Sequence, residues 1–338
     1  MFGADVMNSK VGIIIVNYKT ADLTIECLRS LSLERVLSSF NIMVVDNDSQ
    51  DGSFEKISAA IALEEWSGWV SIKASGHNGG FAYGNNTAIR EFIAAEKTPK
   101  YIHLLNPDTV VRKGAISQLV QFMQAHPKVG VVGSRIESEE GQPLHSAFKF
   151  HTCWSELERG FKWGVLTKLL KRWGSSQKIP NEPVRADWVS GASMMIRREV
   201  FDQLGLLDEA YFMYYEETDF CTQANREGWE CWYVPASKVV HFVGKSSGIM
   251  DKGMKKRMPK YWFESRQRYF LKNHGFLYLF LADFFWILGY TTWKIRNIVQ
   301  NKQDNEPPKI WLDFFLSSIF CNVMKCCRFK WSLRNEKV

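Results

Sequence analysis

Four groups of residues in this chain carry side chains that can hold a cation or move a proton. Asp46 follows Val44-Val45 and opens the turn Asp46-Asn47-Asp48-Ser49. Asn106-Pro107-Asp108 follows the apolar run Tyr101 to Leu105. Glu216-Glu217-Thr218-Asp219 follows the aromatic run Tyr211-Phe212-Met213-Tyr214-Tyr215, and His241 closes Lys238-Val239-Val240. A carboxylate at a strand end can accept from a base N–H or a ribose hydroxyl. A carboxylate and an imidazole suit a hard divalent cation, Mg2+ preferring oxygen and Mn2+ tolerating nitrogen. Adjacent carboxylates beside apolar rings push one pKa up, which fits a general base. Each group also has a plain structural alternative: solvated turns at Asp46 and Asp108, a structural His241, and an acidic helix N-terminus at 216–219. Asp219, further into that helix, fits the alternative better than Glu217.

A fifth segment, Asn78-Gly79-Gly80-Phe81-Ala82-Tyr83-Gly84-Asn85-Asn86, is dense in glycine and amides. Glycines let backbone N–H groups approach a phosphate, and a helix starting there adds a favourable field.

The elements that must position these groups follow from periodicity. Val11–Val16 is a β-branched run, read as a buried parallel strand. Helical spacing covers 21–37, a strand runs over 41–45, and Asp51 and Ser53 cap a helix through Ile61. A strand at 69–73, a helix from Gly79-Gly80 to Ala95, a strand at 101–105, a helix at 114–125 and a strand at 129–132 follow. Alternation of strand and helix predicts an α/β fold with a parallel sheet in the first half. Residues 137–185 read as an irregular insertion with a helix near 155–173. Beyond it come a strand over 187–196, helices at 197–204 and 217–227, and strands at 231–234 and 239–242. Each candidate group thus sits just after an apolar segment, where an open α/β sheet has its crevice.

With 338 residues, 46% of them hydrophobic, the chain can bury one large core plus an appendage. Seven cysteines without a CxxC pair point to reduced thiols in a reducing compartment. Met1–Lys10 is polar and 11–16 is too brief for an h-region, so no secretory leader is expected. The formal charge of +7 is unevenly placed: from Lys255 onward there are 16 Lys/Arg against 6 Asp/Glu. That tail interleaves its cations with Phe, Trp, Leu and Tyr, which favours a membrane surface over nucleic acid. Phe276–Tyr290 is fifteen residues with one charge, Asp283, shorter than the roughly 20 needed to span a bilayer. With Ile310–Cys321 it reads as interfacial; the alternative is a pair of amphipathic helices on the core. A GxGxxG fingerprint is absent, which removes support for a classical dinucleotide site.

Taken together, Ile15-Val16-Asn17-Tyr18, Val44-Val45-Asp46-Asn47, Asn78 to Ala82, Asn106-Pro107-Asp108, Trp188-Val189-Ser190-Gly191-Ala192, Phe212 to Asp219 and His241 resemble the inverting glycosyltransferases of family 2, rhamnosyltransferase-like members above all. The resemblance covers about residues 11–270. It implies a GT-A type mixed sheet flanked by helices, with a catalytic domain over 1–254 (nucleotide-sugar half 1–135, acceptor half 136–254) and a helical, membrane-associating tail over 255–338. It places Val16, Asn17, Tyr18 and Asp46 at the nucleoside, Asn78 and Gly79 near the nucleotide, and Asn106 beside the diphosphate. Asp108 and His241 would hold Mg2+ or Mn2+. Glu217 stands where such enzymes carry the base, with Glu216 beside it, Asp219 in support, and Trp188 and Gly191 facing sugar or acceptor. Two positions depart from the family pattern: Asn106 replaces the first acid of Asp-x-Asp, and Glu216-Glu217 replaces Glu-Asp. The implied reaction takes a dTDP- or UDP-linked sugar to a hydroxyl of a lipid-linked glycan, on the cytoplasmic face of the membrane and without nucleic acid. A nucleotidyltransferase and a non-catalytic nucleotide-sugar-binding scaffold are the alternatives. No Lys/Arg-bearing triphosphate loop follows the first strand, which counts against the former, and Asn106 is the only feature favouring the latter.

Overall fold

A computed structural model describes residues 11–35, 39–96, 98–164, 179–242, 250–251, 254–302 and 306–321. These divide into two compact units, one within 1–148 and 176–248, the other within 149–175 and 249–338. The chain passes between the units three times, because helix 153–161 groups with the C-terminal helices.

The first unit is built on a nine-stranded mixed sheet. β1 (Val11–Asn17) lies between β2 (Phe40–Asp46) and β4 (Tyr101–Leu105), and β3 (Val70–Ala74) extends β2, all parallel. Helices α1 (Ala21–Glu34), α2 (Ser53–Leu63) and α3 (Gly80–Ala94) connect them. β1 and β4 are apolar nearly throughout because both sheet faces are covered. Leu28 and Leu31 of α1 and Ile57 of α2 bury against Ile13, Ile15, Ile42 and Val44. Full burial of each such side chain contributes about 1.5–3 kcal/mol.

The register aligns the strand ends. Asn17 pairs with Asp46, Asp46 with Ala74, and Ile15 with Leu105. The turns after all four strands thus leave from one edge, where open α/β sheets bind ligands. Beyond β4 the direction reverses. β5 (Thr109–Val111), α4 (Ala115–Ala125) and β6 (Val129–Glu137) follow in the chain. The short β7 (Ala147–Phe148) pairs with β9 (Trp188–Val189), and β8 (Val184–Ala186) joins the main sheet. β10 (Ser193–Arg197) runs antiparallel to β4, with Ser193 opposite Leu105, so the loop before β10 opens at the same edge. The strand expected over 187–196 is therefore two strands parted by the turn 190–192. Helices α6 (Arg198–Leu204) and α7 (Glu216–Arg226) lead to β11 (Glu230–His241). β11 is one strand rather than two: a register shift between Val234 and Lys238 absorbs Pro235, which cannot donate to the ladder. Its end pairs His241 with Thr109, which brings His241 beside the 106–108 turn.

The second unit is helical. α5 of the inserted segment (Cys153–Phe161) precedes α8 (Lys260–His274), α9 (Phe276–Val299) and α10 (Ile310–Ser317). The helix expected over 155–173 starts slightly earlier and stops at Phe161, where Lys162 takes a left-handed backbone with φ 47°; residues 165–173 of the expected span lie outside the described residues, as do Cys326 and Cys327. α9 overturns the fifteen-residue estimate. The apolar run stops at Tyr290, but the helix continues for nine more residues because Trp293 and Asn297 still face the unit's interior. At 24 residues it is long and apolar enough to cross a membrane. Inside the unit, Gly160 and Gly289 bring α5 and α9 into backbone contact: a methyl on Gly160 would lie 2.8 Å from the Trp286 carbonyl oxygen.

Candidate active site

Asn17 and Asp46 form the floor at the ends of β1 and β2. Asn17 is fully buried and donates to Asp46 Oδ2 at 2.6 Å and to Ser49 Oγ at 3.1 Å. Its Oδ1 accepts from the Thr20 N–H and from the Thr24 hydroxyl at 3.0 Å. Asp46 Oδ1 accepts the Ser49 N–H at 3.0 Å, and Oδ2 takes the Ser49 hydroxyl as well. Asn17 therefore holds Asp46 in place. Tyr18 stands exposed and Val16 is half-buried beneath Gly84, whose missing side chain leaves room for it.

Asn47 links this floor to the glycine loop. Its Nδ2 donates to Asn78 Oδ1 and to the Gly80 carbonyl, each at 3.0 Å, while its buried Oδ1 has no partner among the described residues. Gly79 and Gly80 are required by close approach. A methyl on Gly79 would strike the Tyr83 ring. Gly80 has φ +86°, and a methyl there would collide with the Phe212 carbonyl oxygen, which also accepts the Phe81 N–H at 2.8 Å. The glycine loop is thereby latched to the aromatic run before α7.

That run is strained. Tyr214 and Tyr215 both have positive φ, 71° and 69°, a region costly for aromatic residues. The strain turns the chain sharply into α7 and sets Glu216 and Glu217 on its first turn. Glu216 is buried, and Glu217 is partly open. Burial raises the Glu216 pKa far above the glutamate range, and the Glu217 charge raises it further. Burial also raises Glu217, opposed by backbone N–H groups, including that of Gly191, and by a hydrogen bond from Glu216. The pair therefore holds a proton on Glu216 that is donated to Glu217. Oε2 of each is buried without a partner among the described residues. A methyl on Gly191 would lie 3.3 Å from the Phe81 ring and 3.8 Å from Glu217 Oε1, so Phe81 and Gly191 wall the carboxylate. Asp219 is buried on the inner face of α7, its N–H bonded to the Tyr215 carbonyl at 2.8 Å. Trp188 stacks on Phe148 with ring centroids 4.3 Å apart, on the strand against which α7 packs.

The third cluster is Asn106, Asp108 and His241. Asp108 is completely buried, and His241 Nε2 meets its Oδ1 at 3.1 Å and Asn106 Nδ2 at 3.4 Å. Phe242 N–H donates to the Asp108 carbonyl, and Thr109 Oγ1 donates to the Asn106 carbonyl at 2.7 Å, so the turn is rigid. One carboxylate, one imidazole and one amide converge at the sheet edge. These oxygen and nitrogen donors fit Mg2+ or Mn2+, with ligand oxygens completing the shell. Among the described residues no group of three or more His, Cys, Asp and Glu could hold a metal alone. Lys245, Ser246 and Ser247, which follow His241, lie outside the described residues.

A single loop joins the two chemical centres. Gly191 reaches Glu217, and the next residue, Ala192, accepts the Asn106 N–H at 3.1 Å on its carbonyl. The structure joins Asn17, Asp46, Asn78 and Gly79 on one side, Glu216, Glu217 and Gly191 in the middle, and Asn106, Asp108 and His241 on the other, through the added residues Asn47, Phe81 and Phe212; Tyr18 faces outward, Val16 packs against Gly84, Asp219 lies buried in α7 and Trp188 stacks on Phe148. Asn47, Phe81 and Phe212 stand inside the sequence motifs, but only the fold shows that they connect the motifs.

Comparison with known proteins identifies the family and the fold. A sequence from Mycobacterium tuberculosis, an N-acetylglucosaminyl-diphospho-decaprenol L-rhamnosyltransferase, is 27% identical over 82% of this chain and 85% of its own. A low-salt glycan biosynthesis hexosyltransferase of Haloferax volcanii is 33% identical over 65% of this chain and 63% of its own. Among solved structures, a mannosyltransferase from Pyrobaculum calidifontis in complex with GDP-Man and Mn2+ superposes with a TM-score of 0.53 at 15% identity, covering 86% of this chain and 74% of its own, and so shares the GT-A fold. The family described as glycosyltransferase-like family 2 matches residues 9–258. The chain belongs to that family and is a glycosyltransferase of the GT-A fold.

Proposed function

We propose that the chain is an inverting, metal-dependent glycosyltransferase that transfers rhamnose from a dTDP-linked donor to a hydroxyl of a lipid-linked glycan, at the cytoplasmic face of a membrane, in the synthesis of a cell-surface polysaccharide. The observation that carries this reading is the connected series of Asp46, Asn47, Asn78, Phe81, Glu217, Gly191, Ala192, Asn106, Asp108 and His241 along one sheet edge. The rhamnosyl donor and the diphospho-lipid acceptor of the mycobacterial relative support the choice of substrates.

Asp46, held by Asn17 and Ser49, offers a fixed acceptor to the nucleoside. The unpartnered Asn47 Oδ1 is a second acceptor beside it. The glycine loop sets the start of α3 beside this floor, its Gly79, Gly80 and Phe81 N–H groups held by the His77 carbonyl, Asn78 Oδ1 and the Phe212 carbonyl. Glu217 takes the proton of the acceptor hydroxyl. The hydroxyl oxygen bonds to the anomeric carbon as the carbon–oxygen bond to the diphosphate breaks on the opposite face, so the configuration inverts. Glu216 keeps its own proton and steadies the Glu217 carboxylate; Phe81 excludes water from it. Asp108 and His241 would hold a divalent cation, which when bound would supply neutralising charge for a diphosphate leaving group. Asn106 adds a neutral amide where a second acid is common, which lowers the site's charge and its cation affinity.

Calorimetric titration with dTDP-rhamnose and UDP-sugars, with and without Mn2+, tests this. One dTDP donor should bind only with metal, and Asp108→Asn should weaken that binding by about a hundredfold. Equal binding with and without metal would remove the cation from the scheme, and no binding of any donor would favour the scaffold alternative.

A further inference from the structure

We infer that α9 lies in the plane of an anionic bilayer and docks the second unit on it through one stripe, without crossing it. The inference deepens the proposed membrane-side function and depends on it only for its biological sense.

Apart from Phe276 at its first position, which lies about 40° outside the stripe, the exposed large apolar residues of α9 are ordered. Leu277, Phe280, Leu281, Phe284, Leu288, Ile295, Ile298 and Val299 are all solvent-facing, with Phe284 and Leu288 45% and 44% exposed. At about 100° per residue they fall within an arc of roughly 100° along the whole helix. Leu279, Ala282, Trp286, Gly289, Tyr290 and Asn297 lie on the opposite side and are buried. A core helix would cover its apolar stripe, and a lipid-spanning helix would be apolar all round.

Three observations decide against crossing. Asp283 is completely buried near the middle of α9, bound to Arg266 Nη1 at 2.5 Å and accepting the Ile319 N–H at 2.9 Å. Arg266 also meets Glu156 of α5 at 2.7 Å. Crossing would carry this charged cluster into the hydrocarbon. It would also carry the partner helices, because the Gly160–Gly289 contact ties α5 to the centre of α9. α8, from which Arg266 comes, is polar, with Lys260, Glu264, Gln267, Arg268 and Lys272 on it, and cannot enter lipid.

Charge selects the occupant. The chain from Lys255 onward has a net charge of +10. The apolar stretch of α9 is bracketed by exposed Lys272 and Lys294, with Lys302 and Lys309 beyond. Two acids of this region are already engaged, Asp283 by Arg266 and Asp313 by Arg257. Cations beside an exposed apolar stripe match a phosphate-bearing anionic lipid surface, whereas a second copy of this region would repel.

The test uses the full chain with vesicles of phosphatidylglycerol and phosphatidylcholine. Single cysteines at Leu277, Phe284, Leu288 and Ile295 are spin-labelled with Cys326 and Cys327 replaced by Ser, since Cys27, Cys153, Cys221, Cys231 and Cys321 are buried. The expected result is one shared label depth of about 5–10 Å at all four sites. Binding should be at least about tenfold tighter than to phosphatidylcholine alone. Phe284→Glu with Leu288→Glu should abolish most of it. A depth profile deepest at 284 and 288 with the end labels on opposite faces would establish crossing and overturn the inference. So would absence of vesicle binding, or lipid-free self-association that buries the labels. Donor binding in the same samples reports on the catalytic reading, so failure of one is separable from failure of the other.

Discussion

Each unit of this protein holds one pair of carboxylates that share an immediate partner, and the two pairs are satisfied in opposite ways. In the helical unit, Glu156 and Asp283 flank the guanidinium of Arg266, which is stacked on Phe314. Burial alone would raise the Glu156 pKa, but Arg159 and Arg266 together pull it below the glutamate range. In the sheet unit, Glu216 and Glu217 face each other, and burial raises both. A buried acid with a matched cation is fixed in its charged form and can only hold structure. A buried acid whose neighbour is another acid keeps a proton within reach, which a general base needs. The difference separates scaffold from chemistry without reference to any relative.

Removing one member of each pair sharpens the contrast. Glu217→Gln should lower the turnover of sugar transfer by about a thousandfold. Donor binding and the urea unfolding midpoint should stay close to wild type, because the amide still accepts the Gly191 N–H. Turnover within tenfold of wild type would take Glu217 out of the base role and leave the two pairs functionally alike.

Arg266→Met should do the reverse. It strands Asp283 without a cation and leaves Glu156 with Arg159 alone, at a cost of about 3–5 kcal/mol in stability measured by urea unfolding. The pH dependence should also change sign. In the wild type the Glu156 pKa is depressed, so its contribution is present above the unfolded value and lost as pH falls through the folded one. In the variant the stranded Asp283 has a raised value, so its contribution is greatest at low pH and falls as pH rises. A variant that loses less than 1 kcal/mol would mean that the cluster does not hold α5, α8 and α9 together.

Much of this contrast is legible in the sequence on one side and little on the other. The sheet unit reads well because its strands are β-branched runs and its acids stand at their ends, so Asp46, Asp108, Glu217 and His241 could be picked out one by one. Their convergence could not. Asn106 meets Ala192 and Glu217 meets Gly191 only because β10 runs back antiparallel beside β4, and no local pattern encodes that reversal. The strained Tyr214-Tyr215 turn was equally hidden, since aromatic residues rarely take positive φ. In the helical unit, the hydropathy of 276–290 gave the start of α9 but not its end. Arg266 looked like one cation among sixteen until the fold set it between two acids contributed by segments 110 and 17 residues away.

The finest test lies inside the glutamate pair. Glu216 differs from Arg266 in being a neutral hydrogen-bond donor to its partner rather than a counter-ion. Glu216→Gln preserves a donor toward Glu217, so the acid limb of kcat/KM should stay near its wild-type position. Glu216→Ala removes the donor and leaves only the backbone N–H groups to oppose the effect of burial on Glu217, so its pKa should rise and the limb should move to higher pH. At pH 6 the alanine variant should be about tenfold slower, matching the roughly 1.5 kcal/mol of a hydrogen bond to a charged group, while the two variants converge at pH 8. If instead Glu216→Gln shifts the limb as far as Glu216→Ala, the pair does not share its proton through that bond. The raised Glu217 value would then come from burial alone, and Glu216 would be a space-filling residue no more chemical than the acids around Arg266.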